Sequence, residues 1–312
     1  MRLARAAVTG LVLLVGLATL LGVLDRVWWA FELADVFRLQ YLAVLVVSAV
    51  AAVALRRPRL AVLAAALALV NVAVLGISLT PSATASNEPV RGSLRLVVAN
   101  VEVGNTDFAA VRHLVTETHP DVFGVTELTP ALARHLAHEL PRYHAAVVES
   151  RSDAYGIGIF SRVPLRNARV VHLPADGGPP TAVASARIRG RSVAVVVTHV
   201  HTPFAGSIHV RQLQALAEAR PSLGERVVVC GDFNTPPWSG PLRDFAGAAG
   251  LRDVYGSHAW RGYSWPTWSS LLRVPLDNCF VSAGVGVKAY RDGPNVGSDH
   301  RPFVVDLGVT KE

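Results

Sequence analysis

The apolar positions split the chain into two unlike parts. Residues 6–24 and 39–55 carry no charge, and residues 60–79 interrupt their apolar run with one awkward polar group, Asn71. Each stretch approaches the ~20 residues that cross about 30 Å of hydrocarbon at 1.5 Å per residue. Soluble core helices show a polar face, and these do not. Two further spans close behind the first set it apart from a signal peptide. Residues 1–80 therefore read as a three-span transmembrane anchor. Residues 81–93, rich in Pro, Ser, Thr and Asn with no apolar period, read as a flexible linker.

From Leu94 onward the pattern shortens and alternates. Residues 94–101, 121–127, 143–149, 156–161, 227–231, 276–282 and 303–307 read as strands, and 182–188 with 191–199 as a hairpin about Gly190. Residues 108–118, 130–140, 208–220 and 242–249 read as helices, with Pro130 suited to a first turn. Strand-rich halves with helices between them predict two packed sheets flanked by helices over residues 94–312. No internal repeat interrupts this order.

Charge places the two parts relative to a membrane. Arg2 and Arg5 precede the first span, and Arg56, Arg57 and Arg59 fill the turn between the second and third. The loop 25–38 is mixed, with Asp25, Glu32 and Asp35 offsetting Arg26 and Arg38, and its Trp28 and Trp29 suit an interface. The positive-inside rule puts the N-terminus in the cytoplasm, and three crossings leave the C-terminal domain outside the cytoplasm, in a bacterium at the surface or periplasm. With eight Arg and four acids before Leu94, the remainder keeps 22 bases and 19 acids and no block of like charge. Such a surface is a poor match for a nucleic-acid partner. Two cysteines, Cys230 and Cys279, exclude a zinc framework. Buried free thiols are the default reading for them; a cross-strand disulfide requires neighbouring strands and an oxidising compartment.

The chemistry sits at strand ends. Val227 to Cys230 run into Gly231, and period two then sends Asp232 and Asn234 to one side. Asn100, Glu127, His199 and Asp277 stand at the ends of other strands, and Asp299 with His300 follows Gly297-Ser298. Tyr155 and Arg162 flank the run from Gly156 to Ser161 as candidate phosphate contacts, and His201 follows two residues after His199. Hard oxygen donors suit Mg²⁺, Mn²⁺ or Ca²⁺. Histidines with carboxylates can orient and activate water against phosphorus. Trp260, Trp265 and Trp268 precede Asp277; core packing is the default for one or two of them, and contact with lipid at the interface is the other reading.

These motifs, in this order, resemble the endonuclease/exonuclease/phosphatase superfamily: Asn100, Thr126-Glu127, Thr198-His199, Gly231-Asp232-Phe233-Asn234, Leu276-Asp277 and Ser298-Asp299-His300-Arg301-Pro302. With three spans ahead, the chain further resembles a bacterial membrane-anchored branch typified by VanJ-type teicoplanin-resistance proteins. The resemblance implies a four-layer α/β/β/α DNase I-like sandwich and a metal-dependent phosphohydrolase. It implies Glu127, Asn100 and Asp299 on the metal side, Asp232 activating water, Asn234 holding a phosphate oxygen, and His300 paired with Asp277. His199 would donate to the phosphate or leaving group, with Tyr155, Arg162 and His201 as substrate contacts. Location and resemblance together imply a membrane lipid phosphate or diphosphate as substrate; a surface nuclease or sphingomyelinase-like phosphodiesterase is the alternative. Asn278-Cys279 after Asp277 departs from many relatives, which carry His or Tyr there.

Overall fold

The computed structural model describes residues 1–79, 89–254 and 262–310. The N-terminal part is a bundle of α1 (Arg2–Val23), the single turn α2 (Trp29–Glu32), α3 (Arg38–Ala54) and α4 (Pro58–Leu79). Among the described residues, two helices are long and apolar enough to cross a membrane: α1, with 22 residues, and the 19 residues Pro58–Gly76 of α4. The third predicted span, α3, has 17 residues and falls short of that length. Val12, Val15, Leu45, Ala64, Leu67 and Ala68 pack inward, whereas Leu13, Leu14, Leu17, Val47, Val50, Val62 and Leu69 face outward. Asn71 is not awkward in place. Its Nδ2 donates to Thr19 Oγ1 at 3.0 Å and to the Leu67 carbonyl at 3.0 Å, and its Oδ1 accepts from Arg38 Nη1 at 3.3 Å. Arg38 in turn pairs with Asp35, so the polar groups buried in the bundle answer one another.

The C-terminal part runs β1 (Arg91–Asn100), α5 (Phe108–Thr118), β2 (Val122–Thr126), α6 (Pro130–Glu139), β3 (His144–Glu149), β4 (Ile157–Ser161), β5 (Arg166–His172), β6 (Pro180–Ile188), β7 (Arg191–His199), α7 (Ser207–Ala219), β8 (Val227–Asp232), α8 (Gly240–Ala248), β9 (Leu251–Asp253), β10 (Asp277–Ser282), β11 (Val285–Asp292) and β12 (Phe303–Val309). Local chemistry sets the helix starts: Asp107 accepts from the Ala110 N–H before α5, and Thr129 from the Leu132 N–H before α6, with Pro130 in the first turn. Most of the linker expected at 81–93 lies outside the described residues, and β1 takes its last three.

Two six-stranded sheets form, in the orders β11-β12-β1-β2-β4-β3 and β5-β6-β7-β8-β10-β9. Alternation sorts each strand between layers. Leu94, Leu96 and Val98 of β1 meet Val193, Val195 and Val197 of β7 in the core between the sheets. Val97 and Ala99 face α5 and α6, and Val196 and Val229 face α7 and α8. The result is the expected α/β/β/α sandwich. Cys230 stands opposite Cys279 across β8 and β10, and their sulfurs are bonded. The default reading of free thiols is thereby replaced, because adjacent-strand register, invisible in sequence, puts the two side by side.

The loop between α1 and α3 is docked onto the C-terminal domain. Asp25 accepts the Gly240 N–H at 2.5 Å and so caps α8 from outside; a Cβ on Gly240 would stand 2.4 Å from Asp25 Oδ1. Arg26 pairs with Asp244 at 2.8 Å, Trp238 Nε1 donates to the Asp35 carbonyl at 2.8 Å, and Gln40 Nε2 donates to the Leu271 carbonyl at 3.1 Å. Glu32 is fully buried. Its Oε1 accepts from Thr235 Oγ1 and Ser239 Oγ, each at 2.8 Å, and lies 3.2 Å from His209 Nε2. His209 Nδ1 faces the His201 carbonyl at 2.5 Å, so both ring nitrogens meet oxygen atoms. Burial alone would raise the Glu32 carboxyl; donors from His209, Thr235 and Ser239 outweigh it and hold the group below its usual range.

Candidate active site

Topology brings the polar strand ends to one rim. β1 and β2 are parallel, so Asn100 is level with Thr126 and Glu127 lies one residue beyond. β7 and β8 are parallel, so His199 is level with Asp232, and antiparallel β10 sets its first residue, Asp277, opposite Asp232. Antiparallel β12 starts beside Val98, which delivers Asp299 and His300 to the same rim. Antiparallel β4 starts opposite Thr126, which delivers Tyr155. Gly231 has φ +149, and a Cβ there would stand 1.9 Å from the Thr198 carbonyl oxygen, so the motif's glycine is required for β8 to lie this close to β7.

Asp232 is the hub. Its Oδ1 accepts the Asn234 N–H at 2.8 Å, and its Oδ2 accepts from Asn100 Nδ2 at 2.9 Å. The same Oδ2 lies 3.5 Å from His199 Nε2 and 3.7 Å from His300 Nε2. Asn100 Nδ2 also donates to Glu127 Oε1 at 2.9 Å, and Glu127 Oε2 accepts the Val103 N–H at 2.8 Å. His199 Nδ1 donates to the Ala154 carbonyl at 2.8 Å, which turns Nε2 toward Asp232 and Asn234. Asn234 Nδ2 donates to the Val200 carbonyl at 2.8 Å. His300 Nδ1 meets Asp277 Oδ2 at 2.6 Å. Burial would depress the His300 imidazole, but the Asp277 and Asp232 carboxylates override it and push it up to about 10. Glu102, Glu127 and Asn234 all hold left-handed backbone, with φ of 59, 59 and 54. Such strain costs of order 1–3 kcal/mol per residue and gathers where function fixes geometry.

These groups open into a cleft of ≈ 500 Å³, walled by Tyr155, Phe204, Trp265 and Leu276 and, from the loop between α1 and α3, by Leu33, Val36 and Phe37. The sequence model of the Endonuclease/Exonuclease/phosphatase family matches residues 97–300, spanning all of them from Asn100 to His300. The chain belongs to that family. Its members hydrolyse phosphoesters, and this chain is a phosphoester hydrolase by the same membership. Among solved structures, humanized D. rerio TDP2 superposes with a TM-score of 0.60 at 19% identity, over 70% of this chain and 99% of that one. The mannosyl-6-phosphatase of Bacteroides thetaiotaomicron gives 0.58 at 18%, over 69% and 99%. The human Nocturnin catalytic domain gives 0.55 at 18%, over 71% and 96%. At these identities the likeness is one of fold. No curated protein matches the chain.

The family's dependence on a divalent cation can be tested against the donors present. Glu127, His199 and Asp232 offer three ligand atoms within 4.8 Å of one another, and Asp232, Asp277 and His300 do the same. The second group is already committed to its internal His–Asp pair. In the first, two carboxylates share Asn100 Nδ2 and each accepts one backbone N–H, from Val103 to Glu127 and from Asn234 to Asp232, all neutral donors. A hard divalent cation fits this uncompensated charge and these oxygens. Of the three ligands expected from sequence, Glu127 stands in the fitting group. Asn100 turns its Oδ1 to the Glu102 N–H at 2.9 Å, and Asp299 Oδ2 accepts from Trp265 Nε1 at 2.9 Å.

Substrate contacts divide as well. Tyr155 lines the cleft and packs on His199, with centroids 5.4 Å apart. Burial, with the charges of Asp153, Glu127 and Asp232, pushes its phenol up, so it stays a neutral donor. His201 lies behind Tyr155 at 4.8 Å and is held by Gln212 Oε1 at 2.9 Å, away from the cleft lining. Arg162 is a correction. It follows the far end of β4, five residues at about 3.3 Å each from the rim, and pairs with Asp121 at 2.8 Å. Trp268 is exposed and Trp260 lies outside the described residues. Sequence reading missed Glu102, which accepts the Asp299 N–H at 3.0 Å, and the three apolar anchor residues in the cleft wall.

Proposed function

We propose that this phosphoester hydrolase is held at the outer face of a bacterial cell membrane and acts there, with a divalent cation, on a lipid phosphate or diphosphate. The observation that carries the reading is the single cleft in which Glu127, Asp232 and His300 share walls with residues of the membrane anchor. Asp232, held by two donors, takes the proton of a water that attacks phosphorus; the new P–O bond forms as the bond to the leaving oxygen breaks. His300, charged through its pairing with Asp277, donates to the phosphoryl oxygens as negative charge builds on them. Asn234 steadies the same group, and His199 serves the leaving oxygen. Mg²⁺, or Mn²⁺ or Ca²⁺, held by Glu127 with Asp232, would neutralise phosphoryl charge.

Outward-facing apolar side chains on all three helices favour lipid around the bundle. Parity supports three crossings despite the short α3. The loop after α1 is docked on the domain that follows α4, so both stand on one side. If α1 and α4 cross, α3 must cross between them. The sequence's resemblance to the VanJ-type membrane-anchored branch is a further support for this reading. The test is a substrate panel on purified full-length protein with Mg²⁺: prenyl diphosphates and lipid phosphates against plasmid DNA. Phosphate release from the lipids without nicking is expected; nicking without phosphate release would overturn the lipid reading in favour of a surface nuclease.

A further inference from the structure

The anchor does more than hold the enzyme near a membrane. Its loop enters the cleft, and the three residues it contributes to the wall, Leu33, Val36 and Phe37, are all apolar. They lie across the same cavity as the phosphoryl-handling groups Asp232, Asn234 and His300. A phosphate ester small enough to be wholly hydrated has no use for such a wall, because its apolar surface is too small to reach it. The wall is also fixed rather than draped. Glu32 and Asp35, which bracket Leu33 on either side, are buried and bonded to Thr235, Ser239 and Trp238, in the segment directly after Asn234.

The apolar character continues outward. Phe204, on the cleft lip, is 78% exposed, and Trp268 and Leu271, in the segment that accepts from Gln40 at the start of α3, are 72% and 84% exposed. Large exposed apolar side chains beside the foot of an apolar helix mark a surface that meets lipid. Exposed apolar side chains thus stand both at the cleft, with Phe204, and beside the start of α3, with Trp268 and Leu271.

Building on the phosphohydrolase reading above, we propose that Leu33, Val36 and Phe37 form a subsite for the hydrocarbon chain, beyond its first five carbons, of a lipid-linked phosphate or diphosphate. The anchor loop is then a specificity element of the active site, and the substrate enters from the bilayer with its chain lying against the loop that tethers the enzyme. Chain length is discriminated by burial, at about 0.8 kcal/mol per CH₂, or roughly fourfold per methylene enclosed.

The test is kinetic, on the full-length protein in detergent micelles with Mg²⁺. Phosphate release is measured from dimethylallyl diphosphate (C5) and farnesyl diphosphate (C15), for wild type, Phe37→Ala, Phe37→Leu and Val36→Asn. The readout is the ratio of kcat/KM for C15 over C5. Wild type is expected to favour C15 by about 50-fold or more. Phe37→Ala and Val36→Asn each lower that ratio about tenfold, chiefly through KM for C15, and Phe37→Leu restores most of it. A variant that merely loosens the fold lowers both substrates alike and leaves the ratio where it was. An unchanged ratio with the wild-type preference intact, or wild-type turnover with no chain-length preference, overturns the subsite while the phosphohydrolase reading stands. No turnover of either diphosphate by wild type overturns both.

Discussion

Two of the buried histidine–carboxylate pairs, His209–Glu32 and His300–Asp277, do opposite things. His209–Glu32 is enclosed: Thr235 and Ser239 complete the carboxylate, and the far imidazole nitrogen meets the His201 carbonyl. No ring atom is left to face a reactant, and the pair joins the anchor loop to the segment after Asn234. His300–Asp277 is open on one side: Nδ1 is tied to Asp277 at 2.6 Å, while Nε2 looks past Asp232, 3.7 Å away, into the cleft. Both pairs are buried His–acid contacts. What separates structure from chemistry is the partner of the second ring nitrogen.

If the contrast holds, substitutions at the two pairs produce different losses. His300→Ala and Asp232→Asn should each lower kcat about 10³-fold, measured as phosphate release at saturating substrate, because each removes a group acting on the transition state. Glu32→Ala leaves the buried His209, Thr235 and Ser239 without their shared carboxylate partner and should cost about 3–5 kcal/mol of stability, read by denaturant unfolding in detergent. Complete loss of turnover in Glu32→Ala with unfolding unchanged would erase the distinction between the pairs.

Titration probes the open pair further. His300 is raised from about 6.5 to about 10, so its charged form stabilises the fold fully below pH 6.5, and that contribution fades as pH climbs through about 10. NMR of the imidazole in metal-free protein should show that high midpoint, and Asp277→Asn should move it downward, since the neighbouring charge that raises it is gone. Trp265→Phe removes one N–H from Asp299 and should lower kcat/KM about tenfold. The smallest effect is expected at Arg162→Ala: kcat/KM within about twofold of wild type and less than about 1 kcal/mol of stability, as for an exposed pair.

Much of this site was readable because strand chemistry is local. The run ending in Gly231 projects Asp232 and Asn234 by period two alone, and strand pairing, parallel for β2 and β7 and antiparallel for β12, brings Glu127, His199 and His300 to the same rim. Direction was harder. Tyr155 and Arg162 flank the same strand, and nothing in the residues says which end meets the rim; antiparallel pairing of β4 with β2 decides it. Register hid the Cys230–Cys279 bond in the same way. Weakly patterned strands were missed: β5 is mostly polar and exposed, β9 has three residues, and β11 alternates poorly. Glu102 carries no motif, only a left-handed turn two residues after Asn100. The anchor loop's part in the cleft had no sequence signal, since Leu33 and Phe37 lie more than 160 residues from the strand ends they face across the cleft near Asp232.

The convergence of these strand ends on one working centre is tested most directly by phosphate release from a prenyl diphosphate. Full-length protein in micelles with Mg²⁺ is compared with His300→Ala and Asp232→Ala. Wild type should release phosphate steadily, and both variants should fall about 10³-fold. Equal rates in all three would contradict the assignment.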